Sequence, residues 1–146
     1  MLDVNFRGAL RVLNCVLPEM IKAQRGHIVL VGSVAGYRGL PDAMGYGASK
    51  SALIHLAENL MCDLKPYGIR TQIVSPGFVE TRLTSKNTFK MPGIISAEKA
   101  AGYIAKGMKT GKFEISFPWL FVMALKSLRL LPAGLYFALV GAKKKS

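Results

Sequence analysis

Tyr46 and Lys50 stand four residues apart in a stretch with helical periodicity, so their side chains project from one face. Ser33 lies thirteen positions before Tyr46, at the carboxyl end of a strand-like run, where α/β sheets place their ligands. A phenol with a reference pKa of ~10 is a poor acid or base at neutral pH. An ammonium ~4 Å away, at an effective dielectric of ~20, favours the phenolate by ~4 kcal/mol, roughly three pKa units. That shift brings a tyrosine close to ~7, where acid–base catalysis is most effective. A serine hydroxyl beside it donates to a carbonyl oxygen and stabilises the alkoxide as it forms. Singly, these residues have plainer roles: an amphipathic interface tyrosine, a solvated lysine, a serine capping a turn. Their conjunction is what points to chemistry.

The elements that must position them follow from apolar spacing. From Asp3 to about Ala23, Val4, Phe6, Leu10, Leu13, Leu17, Met20 and Ile21 recur at helical intervals, with Asp3 as N-cap and Arg25-Gly26 as stop. HIVLVG, 27–32, is a short β-branched run that reads as a strand buried on both faces. A loop leads into a long helical pattern from Met44 to Lys65, then IRTQIVS, 69–75, is strand-like again and ends at Pro76-Gly77. Ser96 caps a shorter helix over 97–108, and KFEISF, 112–117, reads as a third strand. Gly32, Gly36 and Gly39 superficially resemble a phosphate loop, but Leu40-Pro41 intervenes before any helix and the stretch reads as a turn. Alternating helices and strands predict an α/β fold: a parallel sheet of about three strands with flanking helices.

The chain has 146 residues, enough for one ordinary domain. With 51% hydrophobic and 19% charged residues it is globular rather than disordered. A formal net charge of +12 calls for an anionic partner, such as a phosphate-bearing ligand or an anionic membrane face. Nucleic acid is not expected, because the basic residues are scattered and no recognition motif accompanies them. Cys15 and Cys62 cannot build a disulfide framework and read as reduced core thiols. No metal site is expected at His27 or His55. The N-terminus lacks the pattern of a secretion signal, and no apolar run reaches the length of a spanning helix, so a cytoplasmic location is expected.

The segment Gly32 to Leu53, GSVAGYRGLPDAMGYGASKSAL, resembles the short-chain dehydrogenase/reductase family, whose signature is Tyr-x-x-x-Lys preceded by a serine at this spacing. Asn5 in DVNFRG, the ASKSAL run and PGFVET (Pro76 to Thr81) match further family motifs in the right order, and the resemblance extends to about Phe117. It implies a partial Rossmann-like sheet and an NAD- or NADP-dependent oxidoreductase moving a hydride between the cofactor and a small carbonyl/alcohol substrate. By the same resemblance Tyr46 is the general acid/base, Lys50 acidifies it and binds the nicotinamide ribose, and Ser33 polarises the substrate oxygen. Asn5 would hold a water that relays protons to Lys50, while Pro76, Gly77, Val79 and Thr81 would line the cofactor. The stretch Arg82 to Ile95 would close over the substrate; Phe89 and the absence of acids make an apolar substrate tolerable. The two long helices would pair with their mates in a homodimer.

The resemblance also implies a glycine-rich turn upstream that seats the pyrophosphate, and none precedes Asn5. The expectation is that the chain keeps the catalytic half without the half that grips adenine. Met1 would then be an internal methionine of a longer protein, or the gene truncated, and the first strand an exposed edge prone to pairing. The rival expectation is a non-catalytic remnant acting as a dimerising or membrane-surface module.

Residues 118–146 form a separate segment after 1–117. From Ile115 onward there are five basic residues (Lys126, Arg129, Lys143, Lys144 and Lys145) and no acid. Two apolar runs, Trp119 to Leu125 and Leu130 to Val140, are each too short to span a bilayer. With Trp119, Phe121, Tyr136 and Phe137 among cations, they suit helices lying in an anionic membrane interface. Equally, they could cap the sheet and bury their apolar faces internally.

Overall fold

Three parallel strands, β1 (Gly26–Val31), β2 (Ile69–Pro76) and β3 (Glu114–Phe117), form one sheet in the order β1-β2-β3 in the computed structural model, which describes residues 1–82, 84 and 91–141. Ile28 stands opposite Thr71, Leu30 opposite Ile73, and Ile73 opposite Glu114. Helices α1 (Gly8–Lys22) and α2 (Met44–Leu64) cover one face, and α3 (Ala97–Met108) contributes to the core on the other. The first core joins Leu13, Ile28, Leu30, Ala57, Leu60, Leu64, Ile69 and Ile73; the second joins Val74, Ala100, Ile115 and Phe117. Each fully buried aliphatic side chain contributes about 1.5–3 kcal/mol. The fold is therefore the α/β arrangement that the alternation of periods predicts.

β2 is the central strand and is buried along nearly its whole length. β1 differs from the expected strand buried on both faces. Ile28 and Leu30 are buried, but Val29 is only partly covered and Val31 is 55% exposed, because β1 lies at an edge of the sheet.

Asp3 does not cap the first helix; it opens a π-helical turn, Asp3–Arg7, and its carboxylate accepts from the Arg7 guanidinium at 3.2 Å. α1 stops before Arg25-Gly26. Gln24 adopts φ 50°, its backbone N–H donates to the Ile21 carbonyl, and the Arg25 N–H donates to the Met20 carbonyl. This closure normally employs glycine; here the Gln24 side-chain amide adds a bond to the Ile21 carbonyl at 2.8 Å. Ser96 does cap α3, accepting from the Lys99 N–H at 3.3 Å.

Cys15 and Cys62 are exposed, which corrects their reading as core thiols. The buried stripe of α2 runs through Ser49, Leu53, Ala57, Leu60 and Leu64, while α1 turns Leu13 and Leu17 inward, so both cysteines fall on outward faces. After β3 come α4 (Trp119–Arg129) and α5 (Ala133–Val140). No described helix is long and apolar enough to cross a membrane.

Candidate functional site

Parallel strands end on the same rim of a sheet, so the segments leaving β1 and β2 share one edge of the molecule. Ser33 follows β1 and caps a short 3-10 turn, Val34–Gly36, with its buried Oγ accepting from the Ala35 N–H at 3.2 Å. Tyr46 lies in the first turn of α2, and Lys50 one turn further. Lys50 Nζ donates to the Val31 carbonyl at 2.8 Å and lies 5.7 Å from the centroid of the Tyr46 ring. The ammonium therefore bridges α2 and the carboxyl end of β1, two residues before Ser33. Burial lowers the Lys50 pKa below the ordinary lysine value.

Asn5 reaches the same helix from the π-helical turn, its Nδ2 donating to Ser49 Oγ at 3.0 Å. Ser49 Oγ in turn donates to the Tyr46 carbonyl at 2.8 Å. Ser49 was not singled out by sequence reasoning. Its place three residues after Tyr46 is the available signal, since a helical serine bonds back to the carbonyl of the preceding turn.

At the exit of β2, Pro76 pairs with Phe117 and the Gly77 N–H donates to the Phe117 carbonyl at 2.7 Å. A Cβ on Gly77 would stand 3.0 Å from Phe121 and 3.2 Å from Pro118, so the start of α4 packs directly over this exit. Val79 forms a parallel bridge with Ile95. Thr81 does not extend freely from the rim: its N–H donates to Thr84 Oγ1 at 2.8 Å, and the Thr84 N–H donates to Thr81 Oγ1 at 3.3 Å. Of the expected substrate loop, residues 83 and 85–90 lie outside the described residues, as do Lys143, Lys144 and Lys145.

The loop between Ser33 and Tyr46 is held from the far end of the chain. Tyr37 Oη donates to Glu114 at 2.5 Å, and Lys126 of α4 donates to the other oxygen of the same carboxylate. Arg38 places one terminal nitrogen within 2.8–3.1 Å of the carbonyls of Leu128, Arg129 and Leu131, at the C-terminus of α4, where a cation also suits the helix dipole. Its guanidinium lies 3.9 Å above the Tyr136 ring, and Tyr136 Oη donates to the Gly39 carbonyl at 2.7 Å. Burial, then the bond to Glu114 and its charge, raise the Tyr37 pKa above the ordinary phenol value. Burial alone would raise Glu114, but the bonds from Lys126 and Tyr37 outweigh it and leave the carboxyl below its usual range. The partners of Tyr37, Arg38 and Gly39 lie 77–97 residues away in sequence, and nothing in local spacing announces them. A cavity of about 590 Å³ opens beside Tyr37, Glu114 and Lys126, away from Ser33, Tyr46 and Lys50. The smaller one beside Gly36 and Gly47, about 290 Å³, borders the site loop.

Comparison with known proteins bears on the family and the fold. The family model for short chain dehydrogenase matches residues 1–91. An uncharacterized oxidoreductase of Myxococcus xanthus is 39% identical over 137 residues, covering 94% of this chain and 54% of the relative. The chain thus spans about half the length of that curated relative. Among solved structures, a short chain dehydrogenase from Burkholderia cenocepacia in complex with NADP superimposes with a TM-score of 0.83 at 21% identity, over 97% of this chain and 59% of that one. A short chain dehydrogenase/reductase from Burkholderia phymatum in complex with NAD gives 0.74 at 22% identity, over 86% of this chain and 54% of that one. At these identities the structures establish the shared Rossmann-like fold. With its family model matched over more than half its length, the chain belongs to the short-chain dehydrogenase family.

Proposed function

We propose that the chain carries the proton-transfer residues of an NAD(P)-dependent oxidoreductase acting on a carbonyl/alcohol pair, with 1–117 as the catalytic region. The observation that carries this reading is the placement of Lys50 Nζ between the Val31 carbonyl and the Tyr46 ring. Tyr46 gives its phenolic proton to a substrate oxygen in reduction and takes it back in oxidation. The Lys50 ammonium, 5.7 Å from the centroid of the Tyr46 ring, is the neighbouring cation for the phenolate left behind. Ser33 Oγ already accepts from the Ala35 N–H, so its own hydrogen is available to the substrate oxygen. Asn5, bonded to the residue preceding Lys50, would hold a water that returns a proton to Lys50 after the lysine has passed one to Tyr46. Because burial lowers the Lys50 pKa, the charge on which this depends is lost at a lower pH than for an ordinary lysine.

The rim suits a nicotinamide dinucleotide by its donor set: a cation, a phenol and hydroxyls facing a ligand rich in hydroxyls and phosphates. Tyr46, Lys50, Pro76, Gly77, Val79 and Thr81 would hold it, and when bound it supplies or accepts the hydride. The Burkholderia relatives bound to NADP and to NAD support either dinucleotide. A homodimer through α1 and α2 belongs to the same reading, supported by outward-facing Val12, Cys15 and Cys62.

Titration with NADH and NADPH, followed by nicotinamide fluorescence, tests the proposal. The expected result is weak, saturable binding that Lys50→Ala abolishes and Tyr46→Phe retains. Absence of binding to both dinucleotides, or binding indifferent to Lys50→Ala, would favour a non-catalytic dimerising module instead.

A further inference from the structure

α4 and α5 present an apolar surface that the fold leaves uncovered. Trp119, Leu120, Met123 and Leu130 recur along one stripe of α4 and its last turn and are 68%, 67%, 52% and 85% exposed. α5, AGLYFALV, is apolar all round apart from one hydroxyl, and Tyr136 is its single buried residue. Leu135, Phe137 and Leu139 flank Tyr136 and are 51%, 61% and 63% exposed. Lone exposed apolar residues are ordinary, but seven large ones lie exposed within 119–139, a concentration of the kind that marks an interaction site. A helix without a polar face is normally covered.

The hairpin is nevertheless firmly seated. Val122 packs with Val34 and Tyr37, Tyr136 bonds to Gly39, and Arg38 grips the end of α4. Its apolar side chains are thus displayed on a fixed scaffold. Charge identifies what they face. From Ile115 to Ser146 the sequence has five Lys or Arg and no Asp or Glu; Lys126 is paired with Glu114, and the other four leave the segment cationic within a chain of net charge +12. Pairing two copies through this surface would set cation against cation, whereas an anionic lipid surface satisfies both properties.

We propose that the α4–α5 hairpin is a peripheral docking surface for anionic bilayers. Trp119, Leu120 and Phe137 enter the headgroup–acyl boundary, and Arg129 engages the headgroups from the last turn of α4. This inference does not rest on the oxidoreductase reading, and its test needs no catalytic activity.

Trp119 is the single tryptophan of the chain and lies on the proposed surface, so its emission reports docking directly. The 146-residue chain is floated with vesicles of pure phosphatidylcholine and with vesicles containing phosphatidylserine. Preferential binding to the anionic vesicles, weakened by salt and accompanied by a blue shift of Trp119, is expected. Phe137→Glu with Leu139→Glu alters two exposed positions, and unchanged far-UV circular dichroism checks that the variant folds; binding should drop about tenfold or more. Leu120→Glu on α4 is a second, independent variant with the same expectation. Three outcomes overturn the proposal: no flotation, flotation that survives these substitutions and therefore reflects overall charge alone, or a concentration-dependent Trp119 blue shift without vesicles. The last would assign the surface to a second copy of the chain.

Discussion

Gly36 offers a direct test of how the site is assembled. It lies at the end of the 3-10 turn that Ser33 caps, and it faces the backbone of α2 at the turn carrying Lys50. A Cβ added there would stand 2.7 Å from the Lys50 carbonyl carbon and 2.8 Å from the Ser51 nitrogen. Both are backbone atoms of a 21-residue helix, so no side chain can swing aside. Gly36→Ala must therefore push the turn and helix apart, an overpacking cost of about 1–3 kcal/mol. At ~2.1 cal/mol/K per residue, a chain of 146 residues has an unfolding entropy near 0.3 kcal/mol/K, so Tm should fall by roughly 3–10 °C. Gly39→Ala, three residues on, is the internal control. Nothing lies within 4 Å of its Cβ position and its φ is not positive, so Tm should stay level or rise with the ~0.4–1 kcal/mol of lost unfolded-state freedom. Thermal unfolding followed by circular dichroism measures both variants. If Gly36→Ala melts with the parent, the turn is not wedged against α2 and the spacing of Ser33 from Lys50 is not set by this contact.

Two further expectations concern the long-range ties to the site loop. Arg38→Ala removes a charged donor from the carbonyls at the end of α4 and the stack on Tyr136, and should cost roughly 2–3 kcal/mol. The urea midpoint should drop accordingly, with Arg38→Lys recovering only part because an ammonium lacks the planar fork; an unchanged midpoint would refute the clamp. Glu114→Gln should be less stable than the parent at neutral pH by about 1–3 kcal/mol. The folded-state pKa of Glu114 lies below the ordinary value of 4.5, so its contribution is complete above that value and disappears as pH falls through the folded-state one. The parent should thus lose stability in acid faster than Glu114→Gln, and parallel pH curves would count against the pairing.

The alternation of helix and strand was legible because the two periods differ and each element is bounded by turn residues. The rim location of Ser33, Tyr46 and Pro76–Thr81 followed too, since parallel strands end together. The outward position of Cys62 was not legible. α2 carries apolar residues on more than one face, so spacing alone cannot say that the stripe through Ser49, Leu53 and Ala57 is the buried one. The stop of α1 just before Arg25-Gly26 was legible, but not that Gln24 would take the left-handed conformation that closes it. β1 resembled a fully covered strand because coverage depends on neighbours in the sheet, not on its own residues. For residues 118–146 composition left two readings open. The structure buries Val122 and Tyr136 and leaves most of the other large apolar side chains outward, a division decided by which residues meet Tyr37, Arg38 and Gly39.

Those three consecutive residues bear on when the loop they occupy is fastened during synthesis. Tyr37 waits for Glu114, Arg38 for Leu131, and Gly39 for Tyr136. A nascent chain folds from its N-terminus as it emerges, and contacts closing some ninety residues of intervening polypeptide form late. The sheet can begin to assemble once β2 has left the ribosome, but the segment between Ser33 and Tyr46 gains its full set of ties only after Tyr136 has emerged. Ribosome-stalled intermediates ending before Tyr136 would therefore be open to proteases at this segment, while the released protein would resist them.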